Sequence, residues 1–231
     1  MKCMWCRKKL HYQLTPSSLF QFQSIKPFDR CTECSRSLED LRVSSSCPMC
    51  SRKQADNSLC LDCQNWQRIY PERTFHHKSL FHYDGIVKEW LIQFKYLKDY
   101  RLKSFLRPEL QEELLKDSQK KTLVPIPISQ TSFHTRGFNQ ITEILDDASI
   151  PYLDLLQYSK EGKKQSEKSK KERMESEQCF AVDLEVINLL SNTKVVLIDD
   201  VYTTGRTLNH ACDAILSHSK VKIETWTLAR S

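Results

Sequence analysis

The chain has 231 residues, a formal net charge of +6 and ten cysteines, enough for one large domain or for an ordinary α/β domain carrying a small one. No apolar run is long enough to span a bilayer and no apolar h-region follows Met1, which argues against an integral membrane or exported protein; a cytoplasmic one, reaching the inner face of the membrane only through partners, is expected. The charge is uneven: residues 1–73 hold twelve Lys and Arg against seven Asp and Glu, a balance of +5, while 74–231 hold twenty-three against twenty-two.

Eight of the cysteines form four pairs in the first 63 residues, Cys3/Cys6, Cys31/Cys34, Cys47/Cys50 and Cys60/Cys63. Two thiolates two residues apart can take neighbouring corners of a zinc tetrahedron, and reduced thiols in a cytoplasmic protein favour metal over disulfides. The simplest partition is sequential, Cys3, Cys6, Cys31 and Cys34 in one site and Cys47, Cys50, Cys60 and Cys63 in the other; a cross-braced arrangement is the alternative. With four thiolates per ion there is no open position for water, so both zinc ions are expected to be structural. The expected organisation is thus a zinc-ribbon module over 1–73, too small and polar to build its own core without metal, and an α/β domain over 74–231. The basic balance of the first module suits a polyanion.

Trp66, Tyr70 and Phe75, interleaved with Arg68 and Arg73, mark the junction, where they either stack on bases or pack between the modules. His76, His77 and His82 read as strand or loop residues, since the cysteines already complete two tetrahedra. Ile86, Val87, Trp90, Leu91, Phe94 and Leu97 lie at helical spacing after the Tyr83-Asp84-Gly85 turn, with Lys88, Lys95 and Lys98 on the other face. A further helix runs from Phe105 to Lys116. Leu123 to Ile128 reads as a strand that leaves its sheet near Pro127, because proline cannot donate to a ladder. A short helix follows to Leu145, then a third strand over Tyr152–Leu156. Residues 160–173 contain seven Lys and Arg, three Glu and no apolar residue, so the segment cannot bury itself and reads as a basic loop or linker. Within it Lys163, Lys164, Lys168, Lys170, Lys171 and Arg173 are candidates for contact with pyrophosphate or a nucleic-acid backbone. Cys179 to Val182 is a short strand, and Lys222 to Arg230 alternates as a terminal one.

The most informative stretch is Val195-Val196-Leu197-Ile198-Asp199-Asp200-Val201-Tyr202-Thr203-Thr204-Gly205-Arg206-Thr207. Four aliphatic residues in a row read as a strand buried on both faces, the pattern of a parallel sheet covered by helices. The residues after it have helical spacing at Leu208, Ala211, Cys212, Ile215 and Leu216. A strand, a hydroxyl-rich turn and a helix N-terminus aim several backbone N–H groups at one point, which is how α/β proteins hold phosphate.

This stretch resembles the phosphoribosyl-pyrophosphate (PRPP) signature of type I phosphoribosyltransferases. The resemblance implies that Asp199 and Asp200 hydrogen-bond the ribose hydroxyls and serve catalysis in an active enzyme, that Thr203, Thr204, Gly205, Arg206 and Thr207 wrap the 5′-phosphate, and that PRPP binds with magnesium. It also implies a mobile loop at 160–173 and a pyrophosphate loop at Pro127–Phe133, which lacks the basic residue expected there; Arg136 is the nearest candidate. Tyr202 departs from the small aliphatic residue usual at its position and is expected to narrow or reshape the ribose side. Together with the cysteine pairs, Gln93-Phe94-Lys95-Tyr96 and Arg136-Gly137-Phe138-Asn139-Gln140, the signature resembles the ComF family of late-competence proteins over nearly the whole chain. That resemblance implies natural transformation, handling of imported single-stranded DNA at the cytoplasmic face, and partnership with a DEAD-box-like ATPase of the ComFA type. The competing expectations are a working phosphoribosyltransferase with an unknown acceptor and a PRPP-sensing regulator; a pocket accepting a 5′-phosphorylated nucleotide end would reconcile the DNA and ribose-phosphate readings.

Overall fold

Strand Lys194–Tyr202 lies at the centre of the molecule because its residues are apolar on both faces. In a computed structural model, which describes residues 2–10, 30–73, 75–97, 99–116, 120–158, 178–190 and 194–231, four strands form one wholly parallel sheet. They are β1 (His77–His82), β2 (Lys121–Pro125), β5 (Lys194–Tyr202) and β6 (Ile223–Arg230), in the order β1-β6-β5-β2. Two short strands, β3 (Leu156–Tyr158) and β4 (Phe180–Val182), pair antiparallel as a separate ribbon. The helices are α1 (Thr32–Glu39), α2 (Leu61–Ile69), α3 (Gly85–Tyr96), α4 (Arg107–Leu114), α5 (Gln130–Arg136), α6 (Gln140–Asp147) and α7 (Arg206–Leu216).

The α/β architecture, with a parallel sheet between helices, is the expected one. Three details differ. The stretch 152–156 is not a strand of the main sheet: only Leu156 is extended, and it belongs to the ribbon. The last strand is interior, lying between β1 and β5, while the edge is β1, a strand whose polar His77, Lys78 and Ser79 concealed it. The helix expected over 105–116 is a 3-10 turn from Tyr100 to Leu106 running into α4 at Pro108, the ring fitting the first helical turn where no N–H is needed.

Two cores form, one on each face of the sheet. Val196, Ile198, Trp226 and Leu228 face a cluster with Trp90, Phe94, Phe105, Leu110, Ile141 and Leu145 from the helices that follow β1 and β2. Val195, Leu197 and Tyr202 face the other cluster, with Leu208, Ala211, Ile215, Phe180 and the second cysteine group. Leu38 of α1 lies in the first cluster, and Cys47, Cys50, Cys60 and Cys63 lie in the second. The cysteine-rich segment is therefore packed into both cores.

Candidate functional site

Side chains alternate across a strand, so the paired acids at the carboxyl end of β5 point to opposite faces. Asp199 lines a cavity of about 140 Å³ with Ile126, Ser129, Ser132, Arg136, Tyr158, Phe180 and Thr207. Asp200 turns to the other face and is buried against α3 and α6. There Lys95 Nζ lies 2.7 Å from its Oδ2, and Gln140 Nε2 donates to the same oxygen. Asp199 accepts the backbone N–H of Asp200 at 2.8 Å. Burial, followed by the charge of Asp200, pushes Asp199 up to about 7, with Lys95 and Arg136 opposing the rise. Two carboxylates with two cations in reach form a polar nest at the strand ends, where open α/β sheets hold ligands.

Each residue of the 136–140 string has a separate duty. Arg136 lines the Asp199 cavity, donates to Gln140 Oε1 at 2.8 Å and lies over the Tyr96 ring, 5.4 Å from its centroid. Gly137 ends α5 with φ +86, a left-handed turn that a β-carbon would strain. Phe138 is buried against Phe94 and Tyr100. Asn139 caps α6 through the N–H of Ile141 and donates to the Ile126 carbonyl at 3.0 Å, tying the helix start to the end of β2. Gln140 reaches Asp200. A basic side chain thus reaches the Asp199 cavity from the far end of the helix that follows the 127–133 loop. Around α5, Tyr96, Tyr100 and Phe133 remain 55%, 43% and 52% exposed.

The Thr-rich turn is held from beneath. Gly205 has φ +82, and a β-carbon on it would lie 2.5 Å from Tyr202 Cζ and closer still to the hydroxyl. Tyr202 lies beneath the turn: it is buried against His77, with ring centroids 4.4 Å apart, and under the Arg230 guanidinium, 4.7 Å away. Its large ring therefore fills space under the turn. Trp66 Nε1 donates to the Thr204 carbonyl at 2.7 Å. Tyr70 and Arg73 bind Asp213 of α7 at 2.6 and 2.5 Å, and Arg73 also reaches Asn209 at 3.3 Å. Of the two uses expected for these junction residues, Trp66, Tyr70, Phe75 and Arg73 serve packing between the segments. His77 bonds to Thr225 and Ser79 within the sheet, and burial lowers it well below its ordinary value, so it stays neutral.

The cysteines assemble as two groups of four, Cys3/Cys6/Cys31/Cys34 and Cys47/Cys50/Cys60/Cys63, with all sulfurs of a group within 4.8 Å of one another. The same local build occurs twice. A turn closes by Arg7 N–H to Cys3 O and Ser51 N–H to Cys47 O at 3.1 and 3.0 Å, with Arg7 and Ser51 at positive φ. The third cysteine of each group, Cys31 or Cys60, then stands at the N-cap of α1 or α2 and donates its own N–H to the first sulfur at 3.3 or 3.4 Å. Sulfur pairs lie 3.8, 3.6 and 3.6 Å apart, against a tetrahedral edge of about 3.8 Å for Zn–S bonds of about 2.3 Å. Both groups can hold zinc. A hydrogen bond from the Cys63 thiol, reinforced by Arg230, holds Cys50 down to about 5, so thiolate is favoured there before any metal arrives. Arg230 Nη2 lies 3.7 Å from Cys50 Sγ, linking this group to β6.

Residues 134–231 match the model of the phosphoribosyl transferase domain family. The whole chain aligns at 30% identity with competence protein ComFC of Streptococcus pneumoniae (strain ATCC BAA-255 / R6), over 230 residues and 100% of both chains. It aligns at 31% identity with competence protein ComFC of Bacillus subtilis (strain 168), covering 99% of this chain and 95% of that one. The chain belongs to the ComFC family.

In this ComFC-family chain the structure brings Asp199, Arg136 and Thr207, which the sequence had singled out, around one cavity, leaves Asp200 on the opposite face of the strand against Lys95 and Gln140, and places Thr203 and Thr204 on a separate hollow of about 620 Å³ with Arg52, Lys53, His82 and Arg230. Gly205 and Arg206 join the turn to α7. Lys163, Lys164, Lys168, Lys170, Lys171 and Arg173 lie outside the described residues. Sequence reasoning did not assign Lys95, Gln140 or Trp66 to the site. The signal for the first two was present: both stand in the strings Gln93–Tyr96 and Arg136–Gln140, on which the sequence-based resemblance to the ComF family rested. Among the described residues no helix is long and apolar enough to cross a membrane.

Proposed function

We propose that this protein is a competence factor that acts in natural transformation, handling imported single-stranded DNA at the cytoplasmic face of the membrane with a DEAD-box-like ATPase of the ComFA type. On this reading the phosphoribosyltransferase scaffold is a pocket for a ribose 5-phosphate group, presented by PRPP or by a 5′-phosphorylated nucleotide end. The observation that supports it best is the Asp199/Asp200 pair set between Arg136 and Lys95, one helix start away from the Thr203–Thr207 turn. On this reading ionised Asp199 accepts a ribose hydroxyl, Asp200 is held by Lys95 and Gln140 behind it, and Thr207 with the first N–H groups of α7 takes the phosphate. Exposed Tyr96, over which Arg136 lies, with exposed Tyr100 and Phe133, offers bases aromatic rings to stack on. The competence role itself is supported by the names of the two relatives.

A second reading, turnover of PRPP with magnesium, is favoured by Arg136. It supplies beside Asp199 the cation that a departing pyrophosphate needs. Binding of PRPP and of single-stranded DNA to the zinc-loaded chain, across salt concentrations, for the wild type and the Asp199→Ala/Asp200→Ala double variant, separates the readings. The expected result is PRPP affinity lost in the variant, and DNA affinity that falls steeply with salt as counterions are released. Consumption of PRPP with no DNA binding at any salt would sink the DNA-handling reading.

A further inference from the structure

Two adjacent acids at a strand end invite a divalent cation, and the resemblance of this stretch to the PRPP signature implies magnesium there. Mg²⁺ takes oxygen ligands in near-octahedral geometry at about 2.0–2.1 Å, and is usually held by one or two carboxylates together with phosphate oxygens and water. Such a site needs carboxylate oxygens that face the same space and carry charge that nothing else has cancelled.

The donor set does not fit. Asp199 and Asp200 leave β5 on opposite faces, and only Asp199 lines the cavity of about 140 Å³. Among the described residues that line it, Asp199 is the one acid and Arg136 the one base, so their charges cancel before any ligand arrives. Behind the strand, Asp200 is 8% exposed. Its Oδ2 accepts from Lys95 Nζ at 2.7 Å and from Gln140 Nε2, while Gln140 Oε1 accepts from Arg136 at 2.8 Å. Arg136, Gln140, Asp200 and Lys95 thus form one continuous relay. The Lys95 side chain is itself only 12% exposed, so little water screens the pair. A magnesium ion bound to the same oxygen would stand within about 5 Å of the ammonium, an approach of like charges.

We infer that Lys95 takes the place of a metal ion in this site: it neutralises and holds Asp200, and the pocket accepts a ribose 5-phosphate group without a divalent cation. The charge of the ligand is met by Arg136 and by the first N–H groups of α7. Lys95 acts through Asp200 and is a positioning residue. The inference rests on the reading of the Asp199 cavity as a ribose-phosphate pocket.

The test uses the zinc-loaded full chain at pH 8, above the value of about 7 at which Asp199 is held, where its ionised carboxyl gives a metal the best chance. Ribose 5-phosphate and PRPP are titrated by calorimetry in buffer freed of divalent cations and in millimolar magnesium. Manganese, a paramagnetic stand-in for magnesium, is titrated into the ligand-free protein and followed by electron paramagnetic resonance. The proteins are the wild type, Asp199→Asn/Asp200→Asn, Lys95→Met and Lys95→Arg. Wild type is expected to bind ribose 5-phosphate equally well with and without magnesium, and to bind no more manganese than the Asp double variant. Lys95→Met is expected to lose about tenfold or more in affinity in metal-free buffer and to recover with magnesium, a rescue that a merely structural loss would not show. Lys95→Arg, which keeps the charge, should behave as wild type. Ribose 5-phosphate binding that requires magnesium in the wild type overturns the inference, as does a manganese site that disappears with the acids. Loss in Lys95→Met that magnesium does not restore, in a protein that melts like the wild type, overturns it too; if that variant folds poorly, the wild-type comparisons still decide. Absence of binding by either ligand in every buffer overturns the ribose-phosphate reading instead, and the manganese comparison, which needs no ligand, still decides whether the acids hold a metal.

Discussion

Asp199 is the residue at which burial and chemistry oppose each other most directly. It has a carboxyl partly open to the cavity yet held up to about 7 by loss of hydration and by Asp200, against an ordinary value of 3.8. Since the folded value lies above the unfolded one, the native state binds the extra proton between them. The stability associated with protonated Asp199 is present at acid pH and is lost as pH rises through about 7. Asp199→Asn, which keeps an oxygen to accept the Asp200 N–H, is therefore expected to be the more stable protein at pH 8, by on the order of 1–3 kcal/mol or a few degrees in Tm. The advantage should shrink steadily toward pH 4. Thermal melts of the two proteins across this range measure it, and a difference independent of pH would show that Asp199 is ionised throughout. Ligand follows the opposite course: ribose hydroxyls need an acceptor, so wild-type affinity for PRPP should rise from pH 6 to 8.

Among elements, the turn after β5 depends on α2, which belongs to the second cysteine group. Cys60 starts that helix and Cys63 lies in its first turn, while Trp66, one turn further, holds the Thr204 carbonyl. Metal held by Cys47, Cys50, Cys60 and Cys63 would thereby fix the orientation of the helix that positions the turn, and a hydrogen bond of this kind shapes a site without touching ligand. Trp66→Phe keeps the ring and removes the N–H. It is expected to weaken PRPP binding about tenfold while leaving the zinc content unchanged. A variant with wild-type affinity would mean that Tyr202 and Gly205 hold the turn unaided. Trp66 is a positioning residue, so the informative readout is affinity at constant metal content.

At the scale of the molecule, the cysteine-rich segment contributes to both cores instead of standing apart. Leu38 of α1 is 1% exposed beside Leu80, Phe81 and Val87, and the four cysteines of the second group line the opposite core. Arg30, over Phe105 at 5.1 Å and paired with Glu109 at 2.5 Å, fastens the first group to α4. Leu38→Ala should cost about 2–5 kcal/mol through the cavity it leaves. It should lower a single melting transition followed by calorimetry, and zinc removal should lower the same transition. Two separate transitions, one of them insensitive to chelator, would show instead that the halves unfold independently.

Much of the site is legible in the sequence, for a physical reason. A pair of thiols in a tight turn, four aliphatic residues ending in two acids, and a Thr-Thr-Gly turn before a helix are local constructions whose chemistry is set by neighbours in the chain. The strand, the turn and the parallel α/β class follow from them, whereas the choice between a sequential and a cross-braced partition of the cysteines was left to the tertiary structure, which groups them sequentially. Other features depend on contacts between distant segments. Asp200 is engaged by Lys95 and Gln140, Arg136 is swung back to Asp199 from the end of a helix, and Tyr202 lies beneath the turn. Trp66 and Thr204, bonded in the fold, are 138 positions apart. Strand β1 is at the sheet edge although its polar residues hide its pattern. These were decided only by tertiary structure, because hydrogen bonds and ion pairs between buried side chains depend on which helices the sheet order brings together, and that order is not a local property of any stretch.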